Sequence, residues 1–510
     1  MALLGGRYIG KTFLLQKFMA DHEGKDVVFL YLELEHKDFR YFADKFIASL
    51  LYNYSKIQNL ALYQDIPLLI ESLKKTLPQT IEQIKNVQES LDKGKTLEAY
   101  QHLLSLPQTF SLESNKFCVL ILDEFQCLEE FEIDNVFQEL GKVIMTQKRC
   151  LYIVTSSFIE TAKRILAEKL SLLFGNFEII DVLPVDIKTS QMFINYYLNT
   201  VKMGIQLKNF LVDFTGGHPL YLKLICQELL NLSAIHQQKE IFAPIFFQAV
   251  ENTIFSRWGV LSRHFEDMAW NLSTKGNGVV NKMLVAVANG KHKLKELSFE
   301  LGVKPSSLLQ KMNRLMETGL VIKSGQIYYL PDKLFRYWLK YVFQKMFRTI
   351  DIEEDTLKQE FAEELQRLMA SFNLTMGEDF LARIVGLLQC FDNDALQING
   401  KRYKLPSLRE ITPVQLSKVY TNHFSLLKAR CEDGSWLIVL KKDSLCETEV
   451  SASLMEAKLL GEKPSRCVII SLGELDHSAK LKALQERMWI WNEGELNTLL
   501  NFYDKPYIGL

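Results

Sequence analysis

Apolar residues in this chain follow two patterns, and their order along the sequence sets the expected architecture. Val27-Val28-Phe29-Leu30-Tyr31-Leu32 is a nearly continuous apolar run of strand length within 26–34. Phe117-Cys118-Val119-Leu120-Ile121-Leu122 and Leu151-Tyr152-Ile153-Val154 are runs of the same kind, and 177–182 is a further one before Pro184. Such runs suit strands buried on both faces of a parallel sheet. Between them, apolar residues recur at helical spacing over 38–54. The same spacing continues over 55–110, with expected breaks at Pro67, Pro78 and Pro107, and predicts an inserted set of helices. This alternation of strand and helix predicts a doubly wound α/β domain.

From 188 to 270 the pattern is helical. Thr215-Gly216-Gly217-His218-Pro219 interrupts it, with Pro219 suited to the first turn of the next helix. Over 277–348 the pattern predicts helices at 280–288, 294–301 and 306–318, separated by Gly290 and Gly302. Two strands then follow Gly319, at 320–322 and 326–330, joined through Ser324-Gly325. Three helices and a ribbon predict a winged helix-turn-helix whose third helix reads the partner. Residues 351–367 are acidic, with seven acids against two bases, as in a solvated helix face or a linker. The remainder, 372–510, reads as α+β: a hairpin of 424–429 and 436–440 around Glu432-Asp433-Gly434, a helix near 453–460, and a strand at 467–471.

The first motif with chemistry precedes all of these. Gly5-Gly6-Arg7-Tyr8-Ile9-Gly10-Lys11-Thr12 fits G-x-x-x-x-G-K-[ST], the phosphate-binding loop. Glycines let the backbone curl so that its N–H groups face phosphate oxygens. Lys11 reaches the β- and γ-phosphates, the Thr12 hydroxyl suits Mg²⁺, and the following helix turns its positive end to the same anion. Only four residues precede Gly5, so the strand feeding the loop is expected to be short or to begin upstream. The second motif is the strand ending in Asp123-Glu124. Acids at the carboxyl end of a parallel strand face the ligand crevice. Asp123 is the candidate to hold Mg²⁺ through water, and Glu124 the candidate catalytic residue that polarises the attacking water. Ser156, among the hydroxyls ending the 151–157 strand, is a candidate γ-phosphate sensor and equally an ordinary strand-end residue.

Composition narrows the partners. A net charge of -1 over 510 residues predicts no global attraction to nucleic acid or membrane. The segment 277–348, however, holds 13 Lys or Arg against 4 Asp or Glu, a local basic patch of the kind phosphate binding needs. Lys311 and Arg314, three apart on the third helix, are the candidate contacts to double-stranded DNA; packing or a protein partner is the other use of such a module. The eight cysteines are scattered without a C-x-x-C pair, which fits neither a disulfide framework nor a zinc site and points to a reducing cytoplasm. Cys118, inside an apolar run, reads as a small hydrophobe. The sequence shows no signal peptide and no apolar run near 18 residues, so no membrane span is expected.

These features resemble the archaeal-type ATPase family, a branch of the signal-transduction ATPases with numerous domains related to AAA+ proteins. The resemblance covers residues 3–345. It rests on the 5–12 loop, Leu122-Asp123-Glu124-Phe125-Gln126, Gly216-Gly217-His218-Pro219, and Leu334-Phe335-Arg336-Tyr337-Trp338-Leu339. It implies a P-loop NTPase sheet of the ASCE/AAA+ kind over 1–187, carrying the helical insert 55–110. A helical lid over 188–275, a winged helix over 276–350 and an α+β domain over 351–510 complete the expected order. It implies ATP as the nucleotide with Mg²⁺, one strand between the loop strand and the Asp123 strand, Pro219 as a nucleotide-linked lid residue, and a lid that flips with ATP.

Two departures are visible. The family's Gly-Arg-Glu-like stretch before the loop has no counterpart here. Its arginine after a Leu-Tyr-Gly run is replaced in Leu173-Phe174-Gly175-Asn176, which puts fast hydrolysis in doubt more than binding. Many relatives end in a domain resembling PD-(D/E)xK nucleases. Here Lys441 and Lys442 follow the matching strand, but Val439 and Leu440 stand where a metal-binding Glu should be, so a nuclease-like scaffold without its metal site is expected. The leading expectation is an ATP-driven switch with slow turnover, engaging DNA, a protein partner or further copies of itself. A DNA-binding regulator with structural nucleotide and an ATP-gated nuclease are the alternatives.

Overall fold

The computed structural model describes the chain except residues 25, 35–37, 171–176, 257, 271–277, 346–353, 399, 417–423, 460–463 and 510. The Leu173–Asn176 departure named above lies outside the described residues. The chain divides into two compact units: Met1–Pro184 with Glu317–Gly319, and Val185–Met316 with Leu320–Leu510.

In the first unit five strands form one sheet: β1 (Ala2–Leu4), β2 (Val27–Glu33), β3 (Phe117–Asp123), β4 (Cys150–Ser156) and β5 (Ile179–Asp181). Their order is β2-β3-β4-β1-β5 and every pairing is parallel. One strand, β4, therefore separates the loop strand from the Asp123 strand, as the resemblance implies. The continuous apolar runs are explained by burial on both faces. Val28, Leu30, Leu120, Leu122 and Val154 join a core with the helices of 39–146. Leu3, Val119, Ile121 and Ile153 pack with Leu15 on the other face. The insert is helical, with helices Phe39–Ile57, Ile66–Leu73, Pro78–Asp92 and Thr96–Ser114. Pro67 and Pro78 sit in first turns, where no N–H is needed. Pro107 corrects the expectation of a break: it lies buried inside Thr96–Ser114, held there by packing despite one missing ladder bond.

The second unit begins with helices Ile187–Tyr197, Ile205–Thr215, Pro219–Ile235, Ala243–Val250 and Val260–Trp270. A two-residue parallel bridge, β6 (Lys202–Met203) with β7 (Glu240–Ile241), was not legible in the helical pattern. Helices Gly278–Ala288, Leu294–Leu301 and Pro305–Glu317 follow, then an antiparallel ribbon of β8 (Ile322–Ser324) and β9 (Ile327–Tyr329). Gly325 turns the ribbon at φ +61°, in the left-handed region. One core runs from Ile194 through Leu308, Met312 and Trp338 to Phe372.

The last part of this unit holds the hairpin β10 (Asp394–Ile398) and β11 (Lys401–Leu405). It also holds a mixed sheet of β12 (Arg409–Pro413), β13 (Ser425–Cys431), β14 (Gly434–Lys441), β15 (Arg466–Ser471) and β16 (Trp489–Trp491). The pair β13–β14 is antiparallel, whereas β14–β15 and β15–β16 are parallel, with helix Glu447–Leu459 in the first crossover. Among the described residues, no helix is long and apolar enough to cross a membrane.

Candidate functional site

The loop after β1 is shaped by close approach and by handedness. A Cβ on Gly5 would stand 2.5 Å from the Val182 carbonyl, so no larger residue fits there. Gly10 has φ +107° and Tyr8 φ +58°, turning the chain into helix Lys11–Asp21. The first N–H groups of a helix lack intrahelical partners, and here no side chain caps them.

Lys11 is 5% exposed. Its ammonium donates to the Gly5 carbonyl (2.8 Å), the Gly6 carbonyl (3.0 Å) and the Ser157 hydroxyl (2.8 Å). All three donors thus rest on uncharged oxygens. Burial lowers the Lys11 pKa, while Glu124 and Asp123 work in the other direction.

Asp123 ends β3 and is buried. It accepts from the hydroxyls of Tyr31 and Thr155. The Tyr31 pKa is raised, first by burial and then by Asp123, with the Thr12 side chain working in the other direction. The phenol thus bonds one candidate metal-holding residue, Asp123, and lies near the other, Thr12. Glu124 follows in the left-handed region at φ +57°. Its carboxylate accepts from the Ser157 N–H (2.9 Å), the Ser157 hydroxyl, and the Gln126 amide (2.9 Å). Arg7 lies 5.3 Å from the centre of the Phe158 ring, a cation–π distance.

The hydroxyl sequence reasoning favoured is turned elsewhere. Ser156 Oγ accepts from the Phe158 N–H (3.0 Å) and donates to the Phe158 carbonyl (3.3 Å). Ser157, one residue later, joins Lys11 to Glu124. Tyr31, Thr155 and Ser157 join this cluster; the sequence reading quoted the last two among the strand-end hydroxyls without singling them out, and did not consider Tyr31. Tyr31 carried a usable signal, as the hydroxyl-bearing residue near the carboxyl end of an otherwise apolar strand.

Pro219 lies in the second unit. It opens helix Pro219–Ile235 after Gly216 (φ +61°) and Gly217 (φ +72°). A Cβ on Gly217 would stand 2.3 Å from the Val185 carbonyl, and its own carbonyl accepts from the Val185 N–H (3.0 Å). His218 stacks on Tyr221 with ring centres 3.9 Å apart, and the Tyr221 hydroxyl donates to Asp332 (2.5 Å).

Lys311 is half-buried and Arg314 exposed on helix Pro305–Glu317, whose Leu308, Met312 and Leu315 face the core. The ribbon that follows is not free. Its tip is seated on β10: Gln326 N–H donates to the Ala395 carbonyl (3.1 Å), and Ser324 Oγ exchanges bonds with the Gln397 carbonyl (2.8 Å) and N–H (2.7 Å). Ile327 belongs to the core of the C-terminal sheet.

At the end of β14, Lys441 donates to Glu449 (2.6 Å), and Glu449 also accepts from the Cys446 N–H (3.0 Å). Val439 and Leu440 are buried and apolar, as read from the sequence. Among the described residues, no group of three or more His, Cys, Asp or Glu could hold a metal ion.

No family model matches the sequence, and no curated protein matches it. Several solved structures are similar. A Walker-type ATPase of Pyrococcus abyssi shares 16% identity over 66% of this chain and 90% of its own, with a TM-score of 0.46. The ORC2 protein of Aeropyrum pernix shares 13% identity over 72% and 88%, with a TM-score of 0.40. The RuvB Holliday junction branch migration motor of Thermotoga maritima shares 13% identity over 66% and 87%, with a TM-score of 0.32. Strand order and loop position carry the fold assignment, and these likenesses do not. With five parallel strands, the loop after β1 and Asp123-Glu124 two strands away, the first unit has the fold of a P-loop NTPase.

Proposed function

We propose that this chain binds ATP with Mg²⁺ at the loop of Gly5, Gly6, Arg7, Tyr8, Ile9, Gly10, Lys11 and Thr12, and hydrolyses it slowly as a nucleotide-driven switch. The observation that carries the reading is Lys11. Its ammonium is parked on two loop carbonyls and a serine hydroxyl at a helix N-terminus. A phosphate oxygen offers a charge-assisted bond stronger than those neutral acceptors.

The donor set fits a hydrated magnesium ion: a hydroxyl on Thr12 and a buried carboxylate on Asp123, both near the Tyr31 hydroxyl. Thr12 would hold the ion and Asp123 would hold its water. Bound magnesium neutralises charge on the β- and γ-phosphates. Glu124 is the residue that orients the attacking water and receives its proton. Ser157 accepts from Lys11 and donates to Glu124, so withdrawal of Lys11 toward phosphate removes one of the two bonds that fix the hydroxyl beside the carboxylate. We assign Ser157 the position that sequence reasoning gave to Ser156.

The same reading makes 188–275 the lid, with Pro219 in its turn, and 276–350 a winged helix. Lys311 and Arg314 would contact double-stranded DNA through its phosphates. Burial of the ribbon tip against β10 favours contact through the third helix alone. It also favours a second reading, in which the module engages a protein partner. The discriminating experiment measures ATP binding and phosphate release with and without duplex DNA. ATP bound with slow release, altered by DNA, supports the first reading. An ATP response without duplex binding at low salt supports the second. Absence of ATP binding would overturn both.

A further inference from the structure

The thiol that the sequence presents as a small hydrophobe has a partner. On the parallel strands β3 and β4, Cys118 stands directly in register with Cys150. Both side chains point to the same face of the sheet: Cys118 lies in the core with Leu120 and Leu122, and Cys150 packs at the margin of that core. Neighbouring strands lie about 4.8 Å apart. That spacing falls within the Cα separation of about 4.4–6.8 Å that a disulfide spans. The exposure of the two thiols differs in a useful way, since Cys118 is 0% exposed whereas Cys150 is partly open to solvent.

We propose that Cys118 and Cys150 are a peroxide-reactive pair that closes to a disulfide across β3 and β4. Cys150 is the attacking thiol and Cys118 the resolving one. The Cys150 thiolate attacks one oxygen of a hydroperoxide, the O–O bond breaks, and the leaving oxygen takes a proton and departs as water or alcohol. Cys150 is then a sulfenic acid. The Cys118 sulfur attacks the Cys150 sulfur, the S–O bond breaks, and the hydroxyl leaves with the Cys118 proton as water. Two thiols lose two electrons and two protons in total, and the peroxide receives both.

The pair is set up for that division of labour. The neighbouring Cys118 thiol holds Cys150 below the ordinary thiol range, although burial opposes it. The adjacent Cys150, together with burial, pushes Cys118 up. A low-pKa accessible thiol beside a resolving cysteine is the arrangement redox-sensitive pairs require. Within a reducing compartment such a bridge is transient and reversible.

The test uses the full wild-type chain under native conditions. It is treated with hydrogen peroxide, blocked with a thiol-alkylating reagent and digested without reduction. The expected result is a cross-linked peptide joining Cys118 to Cys150, an intact mass lower by two hydrogens, and reversal by dithiothreitol. In Cys118→Ala, Cys150 should stop at the sulfenic acid and be trapped by dimedone. Two wild-type outcomes would overturn the proposal: Cys150 recovered as free alkylated thiol after peroxide, or Cys150 trapped by dimedone with no cross-linked peptide.

Discussion

Lys11 and Lys441 occupy comparable places, each where a strand of a parallel pairing gives way to a following helix, yet their surroundings differ. Lys11 spends its three donors on two carbonyls and a hydroxyl at the start of a helix. Lys441 bonds the Glu449 carboxylate at 2.6 Å, and the other Glu449 oxygen takes the Cys446 N–H. A lysine at a strand end is therefore not itself an anion site. A charge already paired with a carboxylate must break that bond to receive phosphate. A charge resting on neutral oxygens exchanges weaker bonds for a stronger one.

The same substitution at the two glutamates separates the regions most sharply. Glu124→Gln should lower ATP turnover ~1,000-fold, within the range for removing a general base. ATP affinity and thermal stability should hardly change, and single-turnover kinetics beside equilibrium binding checks both. A turnover equal to wild type would assign the base elsewhere. Glu449→Gln should leave ATP binding and turnover alone but cost stability. Removing one partner of a buried pair costs ~3–5 kcal/mol, and the partial exposure of Lys441 reduces this to ~2 kcal/mol. Urea unfolding reads that loss.

Glu449 also gives the pair a pH signature. Burial works against its carboxylate, but Lys441 and the Cys446 groups outweigh it and hold the folded pKa below the ordinary 4.5. A depressed carboxylate contributes stability above its unfolded pKa and loses it as pH falls through the folded value. Wild type should therefore lose more stability than Glu449→Gln on acidification below about pH 4.5. Parallel acid-unfolding curves for the two proteins would break the comparison.

The smallest effect concerns the third helix. Replacing Lys311 and Arg314 with Glu should weaken duplex binding ~10-fold at moderate salt and reduce the salt slope by about 2, one for each phosphate no longer neutralised. A ribbon substitution, Lys323→Ala, should leave duplex affinity unchanged, because the ribbon tip is seated on β10. Equal losses from both would mean that the ribbon leaves its seat.

Much of the first unit was legible because a continuous apolar run has few alternatives to a doubly buried strand, and because Gly5, Gly10 and Lys11 fall at the spacing of a phosphate loop. Which strand-end hydroxyl meets Lys11 and Glu124 was not. Ser156 and Ser157 are adjacent, and the choice is made by a turn in which Ser156 bonds the Phe158 backbone. Tyr31 reaches Asp123 from 92 residues away, a pairing set by strand neighbours rather than local pattern. The helix near 453–460 begins earlier, as Glu447–Leu459. Its buried side mixes Glu449, Ser453 and Glu456 with Val450 and Ala457, which blurs the apolar period. The ribbon's shift from 320–322 to Ile322–Ser324 has the same origin. Ser324-Gly325 reads as a free turn, and only β10, some 70 residues later, makes it an interior contact.

The most direct test of the account is titration calorimetry of ATP with Mg²⁺ against wild type, Lys11→Ala and Lys441→Ala. Loss of the phosphate-bound ammonium should weaken affinity ~100-fold in Lys11→Ala, the equivalent of about 3 kcal/mol in charge-assisted bonds. Lys441→Ala should bind as wild type does. Unchanged affinity in Lys11→Ala, or an equal loss in both variants, would contradict the assignment of the Gly5–Thr12 loop as the nucleotide site.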